Sequence, residues 1–458
     1  MMGMNKLFED IEELIKEYWY FILLVVAFYF FWQSNLLDDF IKVTLPLLGV
    51  IFLGFMAFKL WIHYIQQDFI AGIDWVLLEI VPPRDVLRSP KAMELFISNA
   101  LYHFSYKGGK ESYWQGAVWF WFSLEIASID GQVHFYIRTP TRIKELIETQ
   151  MYAQYPQAQI KVVEDYTLAI DKISPESAWD GWGCEFALLK PDAYPIKTYV
   201  DFGLDKDPKE EVKVDPISPV IELFGSIKKG EQMWMQIVVT PSKKEYRTDG
   251  SHFKKHDWVK EANKELERIS ALYTRVNTSP NGLSTLEVRP PPWLMPVTEG
   301  ITKKISKIGF DTGIRAMYVA KKEVFSSNTK NQMRLMFRQY ANPILNSFNR
   351  INGTQGDAFG GIFTISKKTI MLLVDRMLHE YRERGFFHLP LRHHLFNKHN
   401  LPWPISPMLF KAYFHSQTFV LNTEELATIW HFPGQILKVP TLERIESKEA
   451  APPTNLPI

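Results

Sequence analysis

Apolar residues form long runs at the start of the chain and short periodic sets after it. Residues Tyr18–Leu37 carry no charge and include "YWYFILLVVAFYFFW". A helix of that length covers the ~30 Å hydrocarbon layer of a bilayer. A second run, "VTLPLLGVIFLGFMAF" (Val43–Phe58), extends through "LWIHYI" to Ile65 if Lys59 snorkels. Pro46 stands near its start, where proline is tolerated. The pattern predicts a two-helix transmembrane anchor over 18–65, joined by the loop "QSNLLDDFIK". A cleaved leader would have a shorter apolar core and a small-residue cleavage site. Residues 1–17 read as an amphipathic lead-in at the interface. Lys6, Lys16, Lys59, Arg84 and Arg88 flank the two runs, and the loop holds one lysine. The positive-inside rule then places both termini and the soluble part in the cytoplasm, at the inner membrane.

Beyond the anchor the period changes from 2 to 3.6 and back. "WVLLEI" reads as a strand, and Ser89–Pro90 opens a helix. "YKGGKESYWQG" reads as a loop. "WFWFSLEIAS" and "VHFYIRTP" read as a hairpin turning at "IDGQ". "TRIKELIETQMYAQY" reads as a helix with Ile143, Leu146, Ile147 and Met151 on one face, and "AQIKVVEDY" closes as a strand. The order β-α-β-β-α-β over 72–167 predicts a ferredoxin-like, split βαβ module.

A second α/β module is predicted over 184–351, distorted and with a helical insertion at 254–273. Its expected parts are "IKTYVDF" (strand), "SPVIELFGSI" (helix), "QMWMQIVVTP" (strand) and "HDWVKEANKELERISALY" (the inserted helix). "STLEVRPPPWLMPV" reads as a Pro-rich loop, "TEGITKKISKI" as a helix and "IRAMYVAKK" as a strand. "NTKNQMRLMFRQYANPILNSFNR" reads as one long helix. Residues 352–440 mix the helix "KKTIMLLVDRMLHEYRER" with irregular connections, and 441–458 has linker composition. The predicted fold class is α+β: two transmembrane helices, two ferredoxin-like modules and a mixed C-terminal region.

Composition adds limits. The chain has 458 residues, 46% apolar and 14% aromatic, enough for two or three cores. A single cysteine, Cys184, excludes an internal disulfide and a CxxC-type zinc site, and fits a reducing compartment. Net charge is +1, but residues 299–400 carry 17 Lys+Arg against 7 Asp+Glu, and residues 1–297 carry 31 against 39. Such asymmetry marks either an anionic partner or two solvated surfaces, the second being commoner. The residues that would form an anionic-partner surface are Lys303, Lys304, Lys307, Arg315, Lys321, Lys322, Arg334 and Arg338.

Catalytic patterns are weak. "GGKES" at Gly108–Ser112 lacks the spacing and hydroxyl of a phosphate loop. "IMLLVD", ending at Asp375, fits a helical face better than a metal-holding strand. His393, His394 and His399 lack a ligand spacing, and Cys184 reads as a buried thiol. Trp114, Trp119, Phe120, Trp121 and Phe122 suit sheet core better than base stacking. No catalytic residue, metal or cofactor is expected.

"LNTEELATIWHFPG" (Leu421–Gly434) opens on Asn422 with Glu425 three residues on, a capping box, and stops at Pro433–Gly434. This phrase, with "WVLLEIVPP", "SPKAMELF", "SLEIASIDGQVHFYIRTP", "YAQYPQAQIKVVEDYT" and "ELFGSIKKGEQMWMQIVVTP", resembles the N-terminal half of conjugation- and type IV secretion-related ATPases. These are the membrane-anchored HerA/FtsK-class proteins of candidate-phyla bacteria. The resemblance covers nearly the whole chain and rests on structural phrases. In such relatives the "LNTEELATIWHFP" stretch stands just ahead of the nucleotide-binding core, whose residues have no counterparts here, so ATPase activity does not carry over. The resemblance implies a non-catalytic membrane platform, oligomeric, that recruits a separately encoded P-loop ATPase through Asn422, Glu425, His431 and Pro433, with DNA or protein as cargo. Half of an ATPase completed in trans, and a free-standing membrane receptor or structural protein, are the alternatives.

Overall fold

The computed structural model describes residues 36–83, 88–102, 109–205, 214–242, 257–278, 284–288, 291–354, 357–358, 363–364, 366–388 and 416–434. The lead-in, almost all of the first expected span, His393, His394, His399 and the tail lie outside these residues. What is described falls into two units.

The smaller unit is helix α1 (Leu36–Ala71) as far as Asp68, with Gly109–Gly116. From Thr44 to Ala71 α1 is long and apolar enough to cross a membrane, the one such helix among the described residues. Two expectations need correction here. The connecting loop is already helical from Leu36, since no glycine or proline interrupts it. The stretch read as a loop contains a short helix, Gly109–Trp114. That helix is held by α1: the Trp61 indole N–H donates to the Tyr113 carbonyl at 3.1 Å.

The larger unit is built on one nine-stranded sheet. Its first half has strands β1 (Trp75–Val81), β2 (Phe122–Ile129), β3 (Gln132–Pro140) and β4 (Gln159–Val163). Helices α2 (Lys91–Phe96), prolonged by a π-turn at Ile97–Leu101, and α4 (Lys144–Gln154) connect them; α3 is the short helix above. Its second half has β5 (Trp179–Leu188), α5 (Ser218–Gly225), β6 (Glu231–Pro241), β9 (Gly309–Lys321), α8 (Ser327–Met333) and β10 (Phe348–Ile351). The sheet runs β10-β5-β9-β6-β2-β3-β1-β4, every pairing antiparallel. Ranked within its own half, each set of four reads 4-1-3-2 from its outer edge inward, so the order is the same from both ends.

The halves are continuous rather than separate sandwiches. β2 and β6 pair from Phe122↔Val239 to Ile129↔Gln232. All of β6 is buried. Left apart, the two strands would each expose a row of unpaired amides and carbonyls on an apolar edge. Between β6 and β9 lies an insertion of α6 (Trp258–Ala271), β7 (Thr274–Thr278), β8 (Ser284–Val288) and α7 (Met295–Ile305). The expected Pro-rich loop therefore contains β8, which pairs β7. A further two-residue pairing joins β11 (Asp357–Ala358) to β12 (Phe363–Thr364). Then come α9 (Lys367–Glu383), β13 (Phe419–Asn422) and α10 (Thr423–Ile429).

Side chains alternate between two buried faces, as the period-2 pleat requires. One face presents Leu78, Leu124, Phe135, Cys184, Met235 and Ile314 to the helices of both halves and to α10. The other presents Tyr136, Trp234, Met317 and Val319 to Tyr166, Ile170 and α9. Two elements differ from expectation. "IKTYVDF" forms turns, and β5 is the first strand of the second half. The expected long helix 328–350 is instead the short α8, a 3-10 turn at Arg338–Tyr340 and then β10, and Pro343 bars a helix from running on to 350.

Candidate functional site

The strongest concentration of functional polar groups surrounds the C-terminal segment 419–434. β13 pairs the start of β9, Asn422 opposite Gly309 and Phe419 opposite Thr312. The chain then turns into α10 through a capping box. Asn422 Oδ1 accepts from the Glu425 amide at 2.8 Å, and Glu425 Oε2 accepts from the Asn422 amide at 2.9 Å. Every residue of α10 is buried.

Lysines from the insertion close on it. Lys304 Nζ lies 3.1 Å from Glu425 Oε2, with both side chains at 0% exposure, and donates to the Val420 carbonyl at 2.9 Å. Glu425 Oε1 accepts from the Ile196 amide at 2.9 Å. Burial raises the Glu425 carboxyl, and Lys304 opposes that shift. Next to it, Glu424 meets Lys303 at 3.0 Å and Lys307 at 2.8 Å and accepts from the Thr198 hydroxyl. Burial pulls the Glu424 carboxyl up, but the Lys307, Thr198 and Lys303 donors outweigh it and hold the group below its ordinary range. Lys307 also reaches Glu94 of α2 at 2.6 Å, where Tyr199 donates at 2.6 Å and Thr423 at 3.2 Å. At the far end, His431 faces the Ala427 carbonyl with Nδ1 (2.8 Å) and Asp215 with Nε2 (2.9 Å). Asp215 also accepts from the amides of Ile217 and Gly434. The arrangement is an ionic clamp: α2, α7 and the 194–199 turn hold one short strand and helix against the sheet.

This placement revises the sequence reading of both residue sets. Asn422, Glu425, His431 and Pro433 face the protein's own interior. Lys303, Lys304 and Lys307 take carboxylates of their own chain as partners. Arg315 is fully buried with Glu185 at 2.6 Å. Lys322 reaches the carbonyls of Ser174, Pro175 and Ser177. Arg334 bonds Asn331 at 3.3 Å, and Lys321 and Arg338 are exposed. The eight residues therefore do not form one basic surface. Sequence reasoning missed Glu94, Thr198, Tyr199, Asp215 and Glu424. The usable signal was the opposition of "TEEL" to "TKKISK", two charged phrases set among apolar residues.

A second set of charges is enclosed on the opposite face. Arg384 pairs Glu125 at 2.7 Å and Asp165 at 2.5 Å. Tyr166 donates to Glu125 at 2.7 Å and shares a 2.9 Å contact with the Tyr381 hydroxyl. Burial would raise the Asp165 carboxyl, yet Arg384 brings it below its ordinary value. Burial, then the Arg384 charge, pushes Arg138 down to about 9. Arg315 adds a bond to the Glu380 carbonyl and stacks 4.3 Å from the Phe386 ring. These groups tie α9 to the sheet. Asp375 likewise accepts from the Ile173 amide at 2.8 Å. Cys184 is fully buried, and burial pushes its thiol well up. Among the described residues no group of three or more His, Cys, Asp or Glu is placed to hold a metal.

The chain belongs to the family described as "Domain of unknown function (DUF8128)", whose model matches residues 77–379. The match takes in both halves of the sheet, the insertion and most of α9. Glu94 and the three clamp lysines lie inside it, and the segment they hold lies beyond it. No curated protein and no solved structure matches the chain.

Proposed function

We propose that this protein is a non-catalytic, membrane-tethered platform subunit of a type IV secretion- or conjugation-like machine that moves DNA or protein. It recruits a P-loop ATPase carried on a separate chain. The clamp carries this reading. In the ATPases that the chain resembles, the phrase held here stands just ahead of the motor. Fixed by Glu424, Glu425 and His431, the segment presents whatever follows or binds beyond Gly434 at a defined place on the sheet.

Three further features support it. α1 is long and apolar enough for a span, consistent with a two-span anchor in the inner membrane and cytoplasmic soluble parts. The 4-1-3-2 antiparallel order in each half supports reading the sheet as two ferredoxin-like modules joined through their second strands. The outer strands β4 and β10 each have one sheet partner among the described residues, which leaves edges for copies to assemble side by side.

The test is to extract the full chain from its native host in mild detergent and identify what accompanies it. A P-loop ATPase in stoichiometric amount is expected, with much less recovered for Glu424→Lys. A chain that emerges alone sinks the proposal. ATP hydrolysis seen only in the mixture, and lost with the clamp, would instead favour half of an enzyme completed in trans.

A further inference from the structure

α1 outruns the layer it would cross. From Thr44 to Ala71 it rises about 42 Å, against ~30 Å of hydrocarbon. Its outward side chains change character along the way. Leu45, Leu47, Leu48, Val50, Phe52 and Leu53 are apolar and exposed. Beyond Lys59, whose ammonium sits 4.7 Å from the Phe55 ring, come Trp61 and Tyr64. From Lys42 to Trp61 the helix rises about 28 Å, one hydrocarbon thickness.

At that level α3 brings more aromatic surface from a distant part of the sequence. Trp114 packs edge-on to Trp61 with ring centres 6.1 Å apart, and Tyr113 lies 6.2 Å from Phe58. Gly116 lets the chain pass against α1: a Cβ there would stand 2.1 Å from the Ile65 carbonyl oxygen. Yet Trp114 is 71% exposed and Tyr64 65%. Lys110 is exposed on the same short helix. Tryptophan and tyrosine beside lysine, at the depth where an apolar helix ends, is the composition that seats at lipid headgroups.

We propose that Trp61, Tyr64, Tyr113 and Trp114 form an interfacial anchor that sits in the headgroup layer of a phospholipid bilayer. α3 is then a second membrane contact, and it fixes the depth and rotation of α1. This rests on reading α1 as a membrane span, and the test separates the two. Cys184 is buried, so a Cys184→Ala background accepts single labels. Cysteines placed at Phe52, Lys110, Trp114 and Glu145 would carry nitroxides, with the full chain in phosphatidylcholine–phosphatidylglycerol vesicles. Depth is read from accessibility to oxygen against a soluble nickel chelate. The anchor predicts Phe52 in hydrocarbon, Trp114 near the phosphate level, Lys110 just outside it with all four aromatics intact, and Glu145 in water. Phe52 in hydrocarbon with Trp114 and Lys110 reading like Glu145 overturns the anchor alone. Phe52 in water overturns the span and the anchor together.

Discussion

The two halves of the sheet share a strand order and differ at one connection. In the first, β2 passes to β3 through Asp130 and Gly131, both at positive φ (55° and 88°), the signature of a type I′ hairpin. In the second, the same connection between β6 and β9 is opened by residues 242–308. Strand order survives this because register is set by the buried alternation of the ladder, and loop-closure entropy grows only slowly with length. The insertion changes what the half can hold. It carries Lys303, Lys304 and Lys307, and β9 offers its first residues to β13. The half with the plain turn has no equivalent. Docking of the C-terminal segment thus draws on the insertion, which interrupts only one of two halves that share a strand order.

Removing the central pair should have the largest effect. Lys304→Met leaves Glu425 enclosed without its cationic partner. Breaking one member of a buried pair costs about 3–5 kcal/mol. The expectation is that loss in denaturant unfolding of the detergent-held chain, with most of it recovered in Lys304→Met/Glu425→Gln. A single variant as stable as the wild type would show that the clamp does not hold the segment.

Asp311 tests the same end of β9 with the opposite sign. Its Oδ2 has no hydrogen-bond partner among the described residues, and the side chain is 1% exposed. Burial first, and then Asp192, raise the carboxyl to about 7 from an ordinary 3.8, against a bond from Ser242. Below 3.8 both folded and unfolded chains hold the proton and the group contributes nothing. From there to about 7 the unfolded chain ionises first, so stability falls as pH rises, by at most about 4 kcal/mol. Asp311→Asn should therefore stabilise the protein at pH 8 and change little at pH 4. Equal effects at both values would refute the buried-proton account.

In the half with the plain turn, the sensitive residue is Gly131. A Cβ there would stand 2.8 Å from the Ile227 carbonyl oxygen, at a φ that L-residues avoid. Gly131→Ala should cost about 1–2 kcal/mol. It should leave exchange protection of the α10 amides intact until global unfolding. Selective loss of that protection would mean that the halves do not divide their roles as described.

Legibility in the sequence followed the range of the interactions. "IDGQ" gave its turn because type I′ geometry is a local demand. Asn422 and Glu425 gave the capping box for the same reason. β5 was not among the parts named for the second module, because glycines interrupt the apolar alternation of "WDGWGCEFAL". They are there because α9 lies on the strand: a Cβ at Gly183 would stand 2.6 Å from Met377 Cγ. The lysine cluster was visible as charge, but its partners were not, since Glu94 and Glu424 come from opposite ends of the chain. The union of β2 with β6 had no local mark either, because both strands have the composition of any buried strand.

Asn422→Ala should give the smallest effect and resolve how α10 is held. The residue does more than cap. Besides receiving the Glu425 amide, its Nδ2 donates to the Lys304 carbonyl at 3.3 Å, linking the cap to the helix that bears the clamp. Loss of an N-cap costs about 1 kcal/mol. If α10 were an ordinary local helix, Asn422→Asp would restore that stability in full, since aspartate caps as well as asparagine. In the clamp it should not. The new carboxylate sits beside Glu425 in an enclosed place and removes the donor to Lys304, so Asn422→Asp should be no better than alanine at pH 7. Full rescue by aspartate would mean that the capping box, and not its link to the insertion, is what holds the segment.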